Sequence, residues 1–162
     1  TAICPGSFDP ITNGHIDIIR RTLRFADRVI IAICHNVYKK SRFTPNERER
    51  LIWEALENEE GLTGEDLERI EIHVFSGLLA DFFNECGADV IVRGVRSVSE
   101  YEHDLAQTLA NQQLNPELET VFMSTKPEHM FLSSSIVKEI AAFGGDISNM
   151  VPLCVAAALH RK

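Results

Sequence analysis

Residues 5 to 15 read Pro5-Gly6-Ser7-Phe8-Asp9-Pro10-Ile11-Thr12-Asn13-Gly14-His15, a run whose residue types and spacing suit the binding of an anion. Two prolines and two glycines make a tight connection that ends where a segment of helical period begins. A helix N-terminus carries about half a positive charge and offers unpaired N–H groups, which suits a phosphate. Ser7 and Thr12 add hydroxyl donors, and His15 falls in the first turn, facing such an anion. A purely structural alternative has Thr12 or Asn13 capping the helix and His15 packing. The convergence of glycines, hydroxyls and histidine favours ligand binding. The run is neither a Walker A loop nor a dinucleotide GxGxxG turn.

Three further clusters carry matching chemistry. Asn36-Val37-Tyr38-Lys39-Lys40-Ser41-Arg42-Phe43-Thr44 follows one apolar run, and Arg93-Gly94-Val95-Arg96 follows another, with Glu100-Tyr101-Glu102 close behind. Lysine and arginine at strand ends lose solvation when buried and recover it best on phosphate oxygens, arginine through a bidentate fork. Lys40 and Arg42 suit an ordinary basic surface, whereas Arg93 and Arg96 directly follow an apolar strand and are separated by a glycine-containing turn. Leu132-Ser133-Ser134-Ser135 opens a helix and offers three hydroxyls as a second anion cradle.

The elements that must position these groups alternate. Strands are predicted at Ala2–Cys4, Arg28–Cys34, Ile70–Phe75, Val90–Val92 and Thr120–Met123. Helices are predicted at Gly14–Phe25, Pro45–Glu57, Leu78–Cys86, Ser99–Leu114 and Ser133–Phe143, with a last one after Pro152. The second opens on Thr44-Pro45-Asn46-Glu47, a capping hydroxyl, a proline at the first helical position and a glutamate three residues on. Alternating β and α elements imply an α/β fold: a doubly wound, Rossmann-like parallel five-stranded sheet with helices on both faces. Ligands of such sheets sit outside the carboxyl ends of the strands, where all four clusters fall.

The length, 162 residues, suits one domain spanning 1–162. A net charge of −8 disfavours nucleic acid and anionic membrane as partners. That charge is unevenly placed: Glu54 to Glu71 holds eight acids against one base, a net of −7, and reads as a solvated loop or frayed helix end. Outside it the chain is nearly neutral. Cys4, Cys34, Cys86 and Cys154 show neither CxxC nor zinc spacing and read as reduced thiols. No leader and no apolar run of membrane-spanning length is present, so a cytoplasmic protein is expected, with an initiator Met and a residue or two before Thr1.

Thr12-Asn13-Gly14-His15 is similar to the T/HxGH signature of the nucleotidyltransferase superfamily related to class I aminoacyl-tRNA synthetases. The longer run from Pro5 to His15, with the Arg93–Arg96 turn, resembles the bacterial phosphopantetheine adenylyltransferase family over essentially the whole chain. The resemblance implies transfer of the adenylyl group of ATP to 4′-phosphopantetheine, giving dephospho-coenzyme A and pyrophosphate. By position it implies that Ser7, Lys39, Leu79 and Arg93 meet the 4′-phosphopantetheine side. Phe8, His15, Gly94, Val95, Arg96 and Asp104 then meet ATP, as do His129, Met130, Phe131, Leu132, Ser133, Ser134 and Ser135. His15, Lys39 and Arg93 carry the catalytic role, with Mg²⁺ held mainly by the ATP phosphates because no carboxylate cluster offers a cage.

The resemblance also implies a homohexamer and inhibition by coenzyme A. Phe82-Phe83 and Val155–Leu159 supply apolar faces either for subunit contacts or for packing on the sheet. Four departures from the family pattern stand out: Ser7 in place of Thr, Asp104 in place of Glu, His129 in place of an aromatic residue, and a longer acidic stretch. Alternatives are another acceptor specificity in the superfamily, such as a nicotinamide mononucleotide adenylyltransferase or a glycerol-phosphate cytidylyltransferase, or a non-catalytic nucleotide-binding module.

Overall fold

The computed structural model describes residues 1–35, 38 and 40–161. Its elements in chain order are β1 (Ala2–Gly6), α1 (Asn13–Thr22), β2 (Val29–Cys34), α2 (Pro45–Glu57), α3 (Gly64–Glu68), β3 (Ile70–Phe75), α4 (Leu79–Glu85), β4 (Val90–Val95), α5 (Val98–Leu114) and β5 (Thr120–Ser124). A 3₁₀ turn at Pro127–His129, α6 (Ser134–Ala142) and α7 (Leu153–His160) complete it. The sheet is parallel throughout, in the order β3-β2-β1-β4-β5.

Why the central strands are so apolar follows from their burial on both faces. Ala2, Cys4, Val29, Ile31, Ile33 and Val92 point into one core, with residues of α1, α2 and α7. Ile3, Ile30, Ala32 and Ile91 point into the other, with Ala80, Phe82 and Phe83 of α4. Both apolar faces singled out as possible subunit contacts are thus engaged within the chain, since Phe82, Phe83, Val155, Ala158 and Leu159 are all buried.

Two strand boundaries differ from the sequence expectation in ways that bear on the site. β1 runs on to Gly6, because its ladder with β2 continues to the pair Gly6↔Ile33. β4 runs on to Val95, pairing Arg93, Gly94 and Val95 with Phe122, Met123 and Ser124 of β5. Arg93 and Gly94 are therefore strand residues rather than parts of a turn. A Cβ at Gly94 would lie 2.8 Å from Ile18 Cγ1, so glycine lets α1 lie close against this strand. Within the acidic stretch, Thr63 caps the short helix α3 reciprocally with Asp66. Arg69 behind it donates to the carbonyls of Leu23 and Ala26, both at 2.6 Å, closing the end of α1 that was expected to run to Phe25.

Candidate active site

β1 and β4 are neighbours at the point where the strand order reverses, yet they pair only at Ala2↔Val90 and Ile3↔Ile91. Beyond those pairs a cavity of about 330 Å³ lies between the ends of the two strands, walled by Pro5 and Gly6 on one side and Val92 to Gly94 on the other. The chain leaving β1 is sharply bent: Phe8 has φ 46°, in the left-handed region that a non-glycine residue enters only at a cost of about 1–3 kcal/mol. That bend places the buried Phe8 ring beside Gly6, where a Cβ would meet it at 3.0 Å, and edge-on to the His15 ring, 5.1 Å between centroids.

His15 is the third residue of α1, and Thr12 is its N-cap. The Thr12 backbone N–H donates to His15 Nδ1 at 3.1 Å, so Nδ1 is an acceptor and the ring proton resides on Nε2. Burial lowers the affinity of the ring for a second proton, and nearby Arg96 lowers it further against the opposing pull of Glu100, to a pKa of about 4. Capping and ligand binding, posed as alternatives by the sequence, are compatible: the cap uses Nδ1, and the neutral ring keeps an Nε2–H donor. A proton NMR titration of the His15 ring should give a midpoint near 4. A midpoint near 6.5 would remove this assignment. Because the unfolded chain takes up that proton first, His15 makes folding stability decline as pH falls from about 6.5 towards 4.

Arg96 binds the two sides of the cavity together. Its guanidinium pairs with Glu100 in the first turn of α5 and donates to the Leu132 carbonyl at 2.5 Å. Leu132 leads into α6, where Ser133 Oγ caps the helix by accepting from Ile136 N–H at 3.2 Å and keeps its own proton to donate. Ser134 Oγ donates to the Pro10 carbonyl at 2.7 Å and so fastens α6 to the loop after β1. The serine cradle is thus partly engaged in holding itself in place; Ser133, Ser134 and Ser135 all line the cavity.

A second cavity of about 570 Å³ lies alongside, walled by Cys34, His35, Phe75, Leu79 and Asn111. Arg93 lines both cavities. Of the remaining expected site residues, Ser7, Phe8, Gly94, Asp104, His129 and Leu132 line the first cavity. Val95, Met130 and Phe131 do not line it, and Met130 and Phe131 are exposed. Lys39 lies outside the described residues.

The cytidylyltransferase-like family model matches residues 3–140. Phosphopantetheine adenylyltransferase of Rubrobacter xylanophilus is 50% identical over 93% of this chain and 87% of its own length. That of Alkaliphilus metalliredigens is 47% identical over 99% and 97%. The chain belongs to the phosphopantetheine adenylyltransferase family. It is a nucleotidyltransferase.

Solved structures give the enzyme's fold wider company. A bifunctional NMN adenylyltransferase/ADP ribose pyrophosphatase from Francisella tularensis superposes with a TM-score of 0.70 at 15% identity, covering 99% of this chain and 48% of that one. A putative nicotinate-nucleotide adenylyltransferase from Vibrio parahaemolyticus does so with a TM-score of 0.65 at 15% identity, over 98% and 89%. At this identity the likeness is one of fold.

Two carboxylates of this nucleotidyltransferase, Asp9 and Glu100, stand in the sequence motifs without a role there. Glu100 was legible from its four-residue spacing to Arg96, which brings the pair together at the start of a helix. Asp9 was not, since its partners, the N–H groups of Arg42 and Phe43 and the ammonium of Lys138, come from distant parts of the chain. As a donor set for magnesium the cavity is sparse: with Glu100 paired to Arg96, Asp104 is the remaining lining carboxylate. Among the described residues no three His, Cys, Asp or Glu side chains group to hold a metal, and no helix is long and apolar enough to cross a membrane.

Proposed function

We propose that the enzyme transfers the adenylyl group of ATP to 4′-phosphopantetheine, the penultimate step of coenzyme A synthesis, with ATP in the cavity between β1 and β4 and the acceptor in the adjoining one. The observation that carries this reading is the placement of a neutral, tautomer-locked histidine donor in one cavity whose wall residue Arg93 also faces the next. An oxygen of the acceptor's phosphate attacks the α-phosphorus of ATP in line, the bond to the bridging oxygen breaks, and pyrophosphate leaves. No protein nucleophile is needed, because the attacking phosphate is already anionic. In keeping with that, burial keeps the nearby thiols protonated, Cys4 with a pKa of about 12 and Cys34 shifted upward.

The chain's work is to hold two polyanions together and to steady charge that grows on the α-phosphoryl oxygens. His15 supplies a hydrogen bond through Nε2–H, while Arg93, with Lys39, neutralises charge between the two substrates. Leu79 contacts the acceptor in its own cavity, and Ser7, which lines the nucleotide's cavity, meets the acceptor's phosphate where it approaches ATP. Phe8, Gly94, Arg96, Asp104, His129, Leu132 and Ser133 to Ser135 line the nucleotide's cavity, and Val95, Met130 and Phe131 meet the part of ATP that extends beyond it. Magnesium enters as part of the ATP substrate, held by its phosphates and water, which suits a cavity with so few free carboxylates. The reading extends to residues 1–162 acting as one domain, in a cytoplasmic homohexamer whose acceptor cavity also admits coenzyme A. Exposed Val98, Leu109 and Leu114 on α5 and Val121 on the edge strand β5 provide apolar surface for such an assembly.

The test is a panel of acceptors, 4′-phosphopantetheine, nicotinamide mononucleotide and glycerol 3-phosphate, each with ATP or CTP and scored by pyrophosphate release. Only 4′-phosphopantetheine with ATP should turn over. Turnover of another pair in its place reassigns the acceptor, and nucleotide binding without pyrophosphate release in any mixture would make the protein a binding module.

A further inference from the structure

Arg48, in the first turn of α2, is 2% exposed, and its guanidinium Nη1 donates to the Ser7 carbonyl at 2.8 Å. Its Nε and Nη2 have no hydrogen-bond partner among the described residues, although both atoms are buried. A buried charge that is neither paired nor fully hydrogen-bonded is costly. The same molecule shows what an arginine with a purely structural task looks like. Arg69 donates to the carbonyls of Leu23, Ala26 and Asp27 and to the Asp66 carboxylate, so each of its three nitrogens has a partner.

The position of Arg48 explains what its unanswered charge does. Ser7, whose carbonyl it holds, lines the first cavity, and Cys34, which lies within reach of its charge, lines the second. Arg48 therefore sits beneath the floor where the two cavities meet, behind the backbone rather than in the open. The carboxylate nearest along that loop, Asp9, is already taken by Lys138 and by the N–H groups of Arg42 and Phe43. We infer that Arg48 is a positioning residue for the acceptor: its uncompensated guanidinium holds Ser7 in place and projects positive potential on the bound phosphate from below, complementing Arg93 from the side. A charge shielded from water by the backbone acts through protein and is screened less than one at the surface. This inference rests on 4′-phosphopantetheine being the acceptor.

The test measures, by calorimetry on the full chain, the ratio between the dissociation constants of pantetheine and 4′-phosphopantetheine. That ratio isolates what the protein gains from the phosphate. In Arg48→Met it should shrink about tenfold, the scale of losing one partly screened charge. Equal weakening of both ligands would mean that Arg48 only shapes the site, and unchanged binding would mean that its charge does not reach it; either result overturns the role. Should Arg48→Met fail to fold, Arg48→Gln, which can keep a donor near the Ser7 carbonyl without the charge, is read by the same ratio. A wild-type chain that binds no 4′-phosphopantetheine would overturn the acceptor assignment itself, an outcome distinct from wild-type binding with an unaltered ratio in the variant.

Discussion

Replacing His15 with alanine is expected to lower kcat by about 10²–10³-fold while the KM for ATP changes by less than about threefold. The asymmetry follows from when the hydrogen bond matters. The Nε2–H donor is neutral, so it attracts a ground-state phosphate only modestly; in the proposed reaction it meets oxygens whose charge grows as the α-phosphorus becomes five-coordinate. Because the pKa of His15 is about 4, the donor is present throughout the neutral range, and this residue alone imposes no pH limb on kcat above about pH 5. The substitution also removes the acceptor for Thr12 N–H, a capping contact worth about 0.5–2 kcal/mol. Thermal unfolding measured alongside the kinetics separates the two effects. A kcat close to that of the unaltered chain would end the proposed role of the histidine.

The second large effect concerns stability. Asp9→Ala is expected to cost about 3 kcal/mol, roughly 6–12 °C in Tm for a chain of this size. Asp9 is 5% exposed and accepts from Arg42 N–H at 2.9 Å, Phe43 N–H at 2.8 Å and Lys138 Nζ at 2.9 Å. Alanine would leave two backbone donors and an ammonium without their acceptor. Asp9→Asn, which keeps one acceptor oxygen but no charge, should cost about half as much. Burial by itself would raise the Asp9 pKa, but the hydrogen bond from Lys138 and those from the two backbone N–H groups outweigh it and hold the pKa below the usual carboxylate range. The stabilisation is therefore complete above about pH 4, the unfolded value, and is lost as pH falls through the lower folded one. A Tm shift below about 2 °C in Asp9→Ala would show that this carboxylate does not bind the three segments together.

How much of this could be read from the chain depends on whether the cause was local. Thr44-Pro45 and Glu47 carry a whole helix start within four residues, and α2 spans the predicted Pro45–Glu57. The strand at Ile70–Phe75 was equally legible from its composition. By contrast, the strand ends at Gly6 and Val95 depend on neighbours: a residue stays in a strand when another strand continues beside it, and neither Pro5-Gly6 nor Arg93-Gly94 advertises that. The helix at Gly64–Glu68 was hidden by the charge of its surroundings, although its Thr63/Asp66 cap is local.

The candidate site divides along the same line. The Pro5–His15 run, the basic clusters and the serine triplet were visible as residue types at strand ends, and that sufficed for the family and for most of the cavity wall. The sequence by itself also showed that the net charge of −8 belongs to a peripheral stretch and says little about the site. Only the tertiary structure decided that burial and nearby Arg96 keep the His15 ring neutral, that Asp9 gathers three segments, and that Arg48 lies buried beneath Ser7 with two nitrogens unpartnered among the described residues. The physical reason is that residue type and spacing determine what a group is able to do, whereas its hydrogen-bond partners, burial and local potential come from residues 30 to 130 positions away, and folding alone brings these together.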